Sequence, residues 1–357
     1  MKGENQILEL YSDYLLAQNH QATATGLSRM TNGRISHDQV TRFLSENHFD
    51  SKDLWGYVKS AVMQKKKSKK GVLILDDTIE EKPYTRENKA VCWHYDHAKK
   101  QTIKGINILT CMFEDGSKSL PVGYELVKKT IHYQDKKTGK TKRKAQETKN
   151  EKFRKLVSQA QKNNIPFEHV LADSWYCSKE NMNFINDLGK KFIFAIESNR
   201  LICLTNSEGT EKRHYLQLKK ANLKADRSYS VSVKGIDFPL TLMKKVFKNG
   251  DGSVGTLYLV SNDLALNGET LYQLYQRRWS IETFHRSIKQ NASLAKSPCW
   301  REATQANHIF LTLIAFCKLE LLKLKINLNH YEIRNQLLLQ ANLAAYKELS
   351  KLQKMGK

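Results

Sequence analysis

The chain has 357 residues, more than one hydrophobic core holds comfortably, so two or three domains are expected. Its 59 Lys and Arg against 36 Asp and Glu leave a formal charge of +23, which predicts a polyanionic partner, nucleic acid ahead of an anionic membrane surface. With 40% hydrophobic residues and five prolines the chain can build a packed interior, which excludes a disordered basic tail.

The N-terminus, MKGENQILEL, carries a glutamate and polar amides where a signal peptide has its apolar run. Ile7, Leu8, Leu10, Tyr11, Tyr14 and Leu15 then recur at helical spacing. Leu27 and Met30 mark a short helix, Thr31-Asn32-Gly33 a turn, and Val40, Phe43 and Leu44 a second helix capped by Ser36. Two short helices about a glycine turn suit a DNA-binding helix-turn-helix, and a plain helical bundle fits nearly as well. Lys65, Lys66, Lys67, Lys69 and Lys70 read as a solvated linker able to ride on phosphates.

At Gly71 the texture changes. Gly71 to Leu75 is a continuous apolar run, as in a strand buried on both faces. Ile106–Phe113 and Leu120–Val127 are further strands about an Asp115-Gly116 hairpin turn. Lys128 to Lys155 holds 12 Lys or Arg against three Asp or Glu, either a patch flanking a DNA path or a disordered solvated loop. A helix over Thr148 to about Lys162, a strand at His169–Ala172, a helix over Lys179–Leu188 and a strand at Lys191–Ile196 complete a mixed α/β pattern. From Asn199 to Asp263 only strands are expected. Tyr229, Val231 and Val233 alternate with polar residues, and Asn249-Gly250-Asp251-Gly252 is a strong turn, which together suggest a small antiparallel insertion. Helices follow over Leu271–Gln290, Gln305–Leu324 and Tyr331–Leu352. The longest apolar stretch, Ile309 to Cys317, is far short of the roughly 18 to 20 residues of a membrane span. Six scattered cysteines without a CxxC argue against a disulfide framework or a zinc ribbon, and a reduced, cytoplasmic setting is expected.

The segment LYQLYQRRWSIETFHRSIKQ is the most informative. Tyr275, Arg278, Glu282 and Lys289 project within an arc about 60° wide on one helix, in a column about 21 Å long. A carboxylate between cations on one stripe suits a phosphate backbone with a metal ion, Glu282 holding the metal and Arg278 and Lys289 the phosphates. An exposed helix with ordinary pairs such as Arg278 with Glu282 has the same pattern. Asp76-Asp77 and Asp173 each end an apolar strand, where carboxylates are costly unless they bind something, although acids there also cap helices. Acids from two strands and a helix can hold two Mg²⁺ ions.

LDDT at Leu75–Thr78, ADSWY at Ala172–Tyr176 and the Y-x2-R-x3-E-x6-K signature at Tyr275–Lys289 resemble the DDE transposases of bacterial insertion sequences, specifically the IS-four family. Glu80 to Lys100 is similar to that family's text after its first aspartate. The resemblance implies an RNase H-like mixed-sheet core interrupted by a β insertion, with helical N- and C-terminal regions. The expected divisions are helices over 1–66, the core over 67–198, the insertion over 199–263, the rest of the core with the signature helix over 264–300, and C-terminal helices over 301–357. By resemblance Asp77, Asp173 and Glu282 are the catalytic, metal-binding triad, Asp77 being preferred to Asp76 because it directly precedes Thr78. A strand buried on both faces gives no register to decide this. Tyr275, Arg278 and Lys289 would contact transposon-end DNA. Some relatives stack a flipped base on a tryptophan of the insertion; here that segment has none, and Tyr229, Phe238 or Phe247 would have to substitute.

Other motifs read more plainly. Cys92, His94 and His97 lack a second ligand cluster and are expected to be structural. Gly139-Lys140-Thr141 has Gln134 where a P-loop has its first glycine and is rejected. His285, near Glu282 on the same helix, could assist proton transfer but is expected as a partly exposed surface histidine, and Trp175 either shapes the site or sits in the core. The expected function is a transposase that cleaves the ends of its insertion sequence with Mg²⁺, for which Mn²⁺ can substitute, and transfers the 3′-hydroxyls to target DNA. Its expected partners are double-stranded DNA and a second copy of itself in a synaptic complex. The alternatives are an RNase H-like nuclease that does not join ends, and a catalytically silent DNA-binding protein.

Overall fold

The computed structural model describes residues 2–64, 71–97, 99–136, 138–204 and 214–355; the expected lysine linker lies outside the described residues. Four helices open the chain: α1 (Lys2–Ala17), α2 (Ala24–Met30), α3 (His37–Glu46) and α4 (Ser51–Met63). The expected turn between α2 and α3 forms with Asn32 and Gly33 at positive φ. Ser36 caps α3 through a reciprocal capping box with Gln39, and Asp50 and Asp53 do the same for α4.

Strands β1 (Gly71–Glu81), β2 (Cys92–Asp96), β3 (Gln101–Glu114) and β4 (Ser119–Leu126) begin the sheet. β3 pairs antiparallel with β1 from Val72↔Glu114 to Glu81↔Gly105, while β2 and β4 share the other edge of β3. β1 therefore runs on past Asp76 and Asp77 instead of ending there: it is held by β3 to its last residue, while its parallel partner leaves after Ile74. The lysine-rich segment is an ordered two-stranded ribbon, β5 (Lys129–Gln134) and β6 (Thr141–Ala145), which corrects the alternative of a disordered loop. Next come α5 (Lys149–Lys162), capped by Thr148, then β7 (Phe167–Ala172), α6 (Lys179–Asp187) and β8 (Lys191–Ala195). β7 lies parallel to both β1 and β8. The order β4-β3-β1-β7-β8, with β3 alone reversed, is that of an RNase H-like core.

The insertion contributes β9 (Leu201–Leu204), β10 (Leu216–Gln217), β11 (Ser228–Val233), β12 (Leu240–Lys248) and β13 (Val254–Ser261). It is antiparallel as expected and continues the core sheet, because β13 pairs with β8. The expected single helix over Leu271–Gln290 is broken into α7 (Gly268–Gln276) and α8 (Trp279–Gln290). At the break the amides of Arg277, Arg278, Ser280 and Ile281 bond three residues back, a tightened turn that keeps the chain direction. Two long helices close the chain, α9 (Glu302–Ile326) and α10 (His330–Met355).

One continuous core joins sheet and helices. α9 is buried along most of its length; the Phe49 ring stacks on Phe310 at 4.5 Å, and the Tyr11 hydroxyl meets His308 Nδ1 at 3.1 Å. The Ser51 hydroxyl donates to the Tyr124 carbonyl at 2.6 Å, tying α4 to β4. α10 buries only His330, Ile333 and Arg334, and leaves Leu339, Leu343, Tyr346, Leu349 and Leu352 exposed. Among the described residues no helix is long and apolar enough to cross a membrane.

Candidate active site

Side chains alternate along a strand, so Asp76 and Asp77 leave β1 on opposite faces. Asp77 turns toward α5. Its carboxylate accepts from the Lys149 ammonium at 2.9 and 3.1 Å, the Tyr176 hydroxyl at 2.6 Å and the Asn107 amide at 2.5 Å. Burial alone would raise its pKa, but the Lys149 charge and these three donors outweigh it and hold the group below the ordinary carboxylate value. The Phe153 ring of α5 stacks on Tyr176 and fixes that hydroxyl.

Asp76 turns toward α8, where Arg278 Nη1 donates to it at 3.1 Å and Nη2 donates to Glu282 at 3.2 Å. Asp173 stands at the end of β7 and caps the turn Ser174–Tyr176 through one oxygen, accepting from the Trp175 amide at 3.1 Å. Burial, then the neighbouring Asp173 charge, push the Asp76 pKa up to about 8 despite Arg278. Burial also raises Asp173, with Arg278 opposing. Arg278 is thus the shared counter-ion of Asp76, Asp173 and Glu282. Tyr275 is buried beneath it, with the ring centre 5.8 Å from the guanidinium carbon. Burial raises the Tyr275 phenol to about 12, with Arg278 opposing. Lys289 reaches back to β1 and donates to the Ile79 carbonyl at 3.2 Å.

These side chains line one open cleft of about 760 Å³, shared by Asp76, Asp77, Asp173, Glu282 and Lys289. Among the described residues no three His, Cys, Asp or Glu groups converge closely enough to grip an ion as they stand. Asp76 and Glu282 are instead bridged by the guanidinium. The donor chemistry nevertheless fits a hard divalent cation: carboxylate oxygens from two strands and a helix, one of them raised in pKa by burial and then by a neighbouring like charge that a cation would offset.

Sequence reasoning missed Lys149, Tyr176 and Asn107. Tyr176 lies inside the ADSWY motif, but nothing in the text of the sequence points to the other two. His285 lines the same cleft but is buried, correcting the expected surface position; among the described residues its Nε2 has no hydrogen-bond partner, and burial, then Lys289, lower its pKa to about 3. Trp175 and Trp279 stand in the cleft 39% and 63% exposed, with the Lys149 ammonium 4.0 Å from the Trp175 ring centre. Of the proposed substitutes in the insertion, Phe247 is exposed, whereas Tyr229 and Phe238 pack against the core. Cys92 and His94 are buried together with Sγ and Nε2 3.2 Å apart, while His97 stacks edge-on against Tyr95.

The fold and cleft define an RNase H-like protein with an acidic centre at the edge of its parallel strands, ringed by cations. The chain belongs to the family described as DDE superfamily endonuclease, whose model matches residues 4–215. That span includes both aspartate motifs and ends before Glu282. None of the curated proteins compared with the chain matches it. A solved structure titled "Mos1 transposase paired-end complex with left transposon end" is similar at 13% identity and a TM-score of 0.20, over 48% of this chain and 53% of that one. The chain therefore spans about half the length of that protein.

Proposed function

We propose that the protein is a transposase of the IS-four type, acting on the ends of its own insertion sequence. The observation that carries this reading is the shared counter-ion: Arg278 lies between Asp76 and Glu282 and opposes the charge of Asp173, at the edge of an RNase H-like sheet. In this reading Asp173 and Glu282 would hold the metal, joined on β1 by Asp76, which shares the Arg278 guanidinium with Glu282 and otherwise accepts, among the described residues, only from the Asp77 amide, whereas Asp77 is engaged by Lys149, Tyr176 and Asn107. Those carboxylates would hold two Mg²⁺ ions, or Mn²⁺ in their place, whose chemistry when bound would be to offset negative charge developing on a phosphodiester. Arg278, released from the carboxylates, then clamps phosphate oxygens, with Tyr275 beneath it and Lys289 further along as a second cation. Cleavage by water would break a P–O3′ bond and leave a 3′-hydroxyl on the element's end and a 5′-phosphate on the flanking strand; that hydroxyl would then attack a target phosphodiester and displace its 3′-oxygen. A second copy of the chain joins through the exposed leucines of α10 to form the synaptic complex.

The test is cleavage of duplex carrying the element's ends, with and without Mg²⁺, followed by joining of pre-cut ends to a target. Wild type should do both. Asp76→Asn, Asp173→Asn and Glu282→Gln should each slow cleavage roughly a hundredfold or more. If Glu282→Gln left Mg²⁺-dependent cleavage unchanged, the mechanism would be wrong, and cleavage without joining would make the protein a nuclease instead.

A further inference from the structure

We propose that the β5–β6 ribbon is a duplex-DNA contact, laying its outer face on the phosphate backbone beside the acidic cleft; the proposal rests on the transposase reading. Residues 128–145 carry eight Lys or Arg and one Asp, a local charge of +7. The ribbon forms a sheet of its own. Its base is fixed: Arg143 pairs with Glu87 and donates to the Asn88 carbonyl at 3.0 Å, and the Lys129 amide donates to the Lys89 carbonyl at 2.9 Å. With Arg143 turned inward, alternation turns Ile131, Tyr133, Lys142 and Lys144 outward, cross-paired as Ile131↔Lys144 and Tyr133↔Lys142. Ile131 and Tyr133 are 39% and 40% exposed, and the Lys144 ammonium lies 5.9 Å from the Tyr133 ring centre.

The tip is ordered by its own chemistry. Asp135 accepts from the Thr138 amide at 2.9 Å and from Lys142 at 2.6 Å, and Gly139 takes a φ of +65°. Lys136 and Lys140 flank this turn in solvent. Both roots of the ribbon sit at the level of the acids. β4 ends at Leu126 opposite Ile108, which is itself the partner of Thr78, and Lys149, four residues beyond β6, bonds Asp77.

The position supplies the argument. Asp76, Asp173 and Glu282 repel a phosphodiester, so DNA needs cations alongside to enter the cleft, and the ribbon, which leads four residues on to the Lys149 that bonds Asp77, carries a cluster of them. A two-stranded ribbon also has the width of a DNA groove. A second copy of this chain is a poor occupant, because a +7 ribbon would meet a chain of charge +23.

Anisotropy titrations of full-length protein against end-containing duplex, across a salt series, test the proposal. The triple variant Lys136→Glu, Lys140→Glu, Lys144→Glu should bind roughly 10- to 100-fold more weakly, with the slope of log affinity against log salt shallower by about three. In a second arm, Tyr133→benzoylphenylalanine should photo-crosslink to the duplex. Wild-type affinity and slope in the triple variant would overturn the proposal and leave the transposase reading standing, as would crosslinks to protein alone. Failure of wild type to bind duplex at all would remove both.

Discussion

One step along β1 separates Asp76 from Asp77, and it gives them opposite electrostatics. Asp77 has a depressed pKa, so its stabilisation is present above the unfolded carboxylate value of about 3.9 and is lost as pH falls through the lower folded value. Asp76 is raised to about 8, so folding disfavours its ionised form, and stability falls as pH rises from about 3.9 through 8. Asp77→Asn should therefore cost about 1–3 kcal/mol, because the Lys149 ammonium loses its charge partner. Asp76→Asn should leave Tm at pH 7 unchanged or higher and flatten its decline toward pH 8, while still abolishing cleavage. Thermal melts of both variants across pH decide the matter, and equal losses at pH 7 would contradict it. The paired aspartates were plain in the sequence. Which of them faces Arg278 and which faces Lys149 was not, because a strand apolar on both faces carries no alternation to read.

At the level of elements, most strands and helices between Gly71 and Ala195 were legible because turns, caps and apolar runs agreed there. β2 and the β5–β6 ribbon were not. The ribbon's lysines hide the alternation, and its outer face meets no core that would force apolar residues. The break between α7 and α8 was equally silent, since Arg277 and Arg278 are ordinary helix formers. Asp263 shows how the insertion is returned to the core: it accepts from His169 Nε2 at 3.0 Å and Lys191 Nζ at 2.8 Å, binding the chain after β13 to β7 and β8. Burial opposes its ionisation, but Lys191 and His169 hold its pKa down. Asp263→Ala should cost about 1–3 kcal/mol in chemical denaturation and leave cleavage of the folded fraction near wild type. A stable variant that no longer cleaves would show that Asp263 acts in the cleft instead.

For the whole molecule, the charge of +23 named only the kind of partner. The fold distributes it: Arg278 and Lys289 behind the carboxylates, Lys149 beside them, and the ribbon leading on to Lys149. α10 carries a different message, since it leaves Leu339, Leu343, Tyr346 and Leu349 uncovered by any of the described residues of its own chain. Sedimentation of wild type should give a dimer, and Leu339→Glu with Leu343→Glu a monomer that still melts near the wild-type temperature. A monomeric wild type, with and without DNA, would dismiss this role for α10.

The seam between β8 and β13 has a mechanical consequence. Three successive residue pairs, Leu259↔Ala195, Val260↔Phe194 and Ser261↔Ile193, carry the ladder straight from core to insertion. The insertion therefore cannot swing like a hinged lid without tearing main-chain bonds one after another. Displacement of its outer strands is thereby coupled through paired main chain to β8, β7 and β1, and so to the strands that carry the carboxylates.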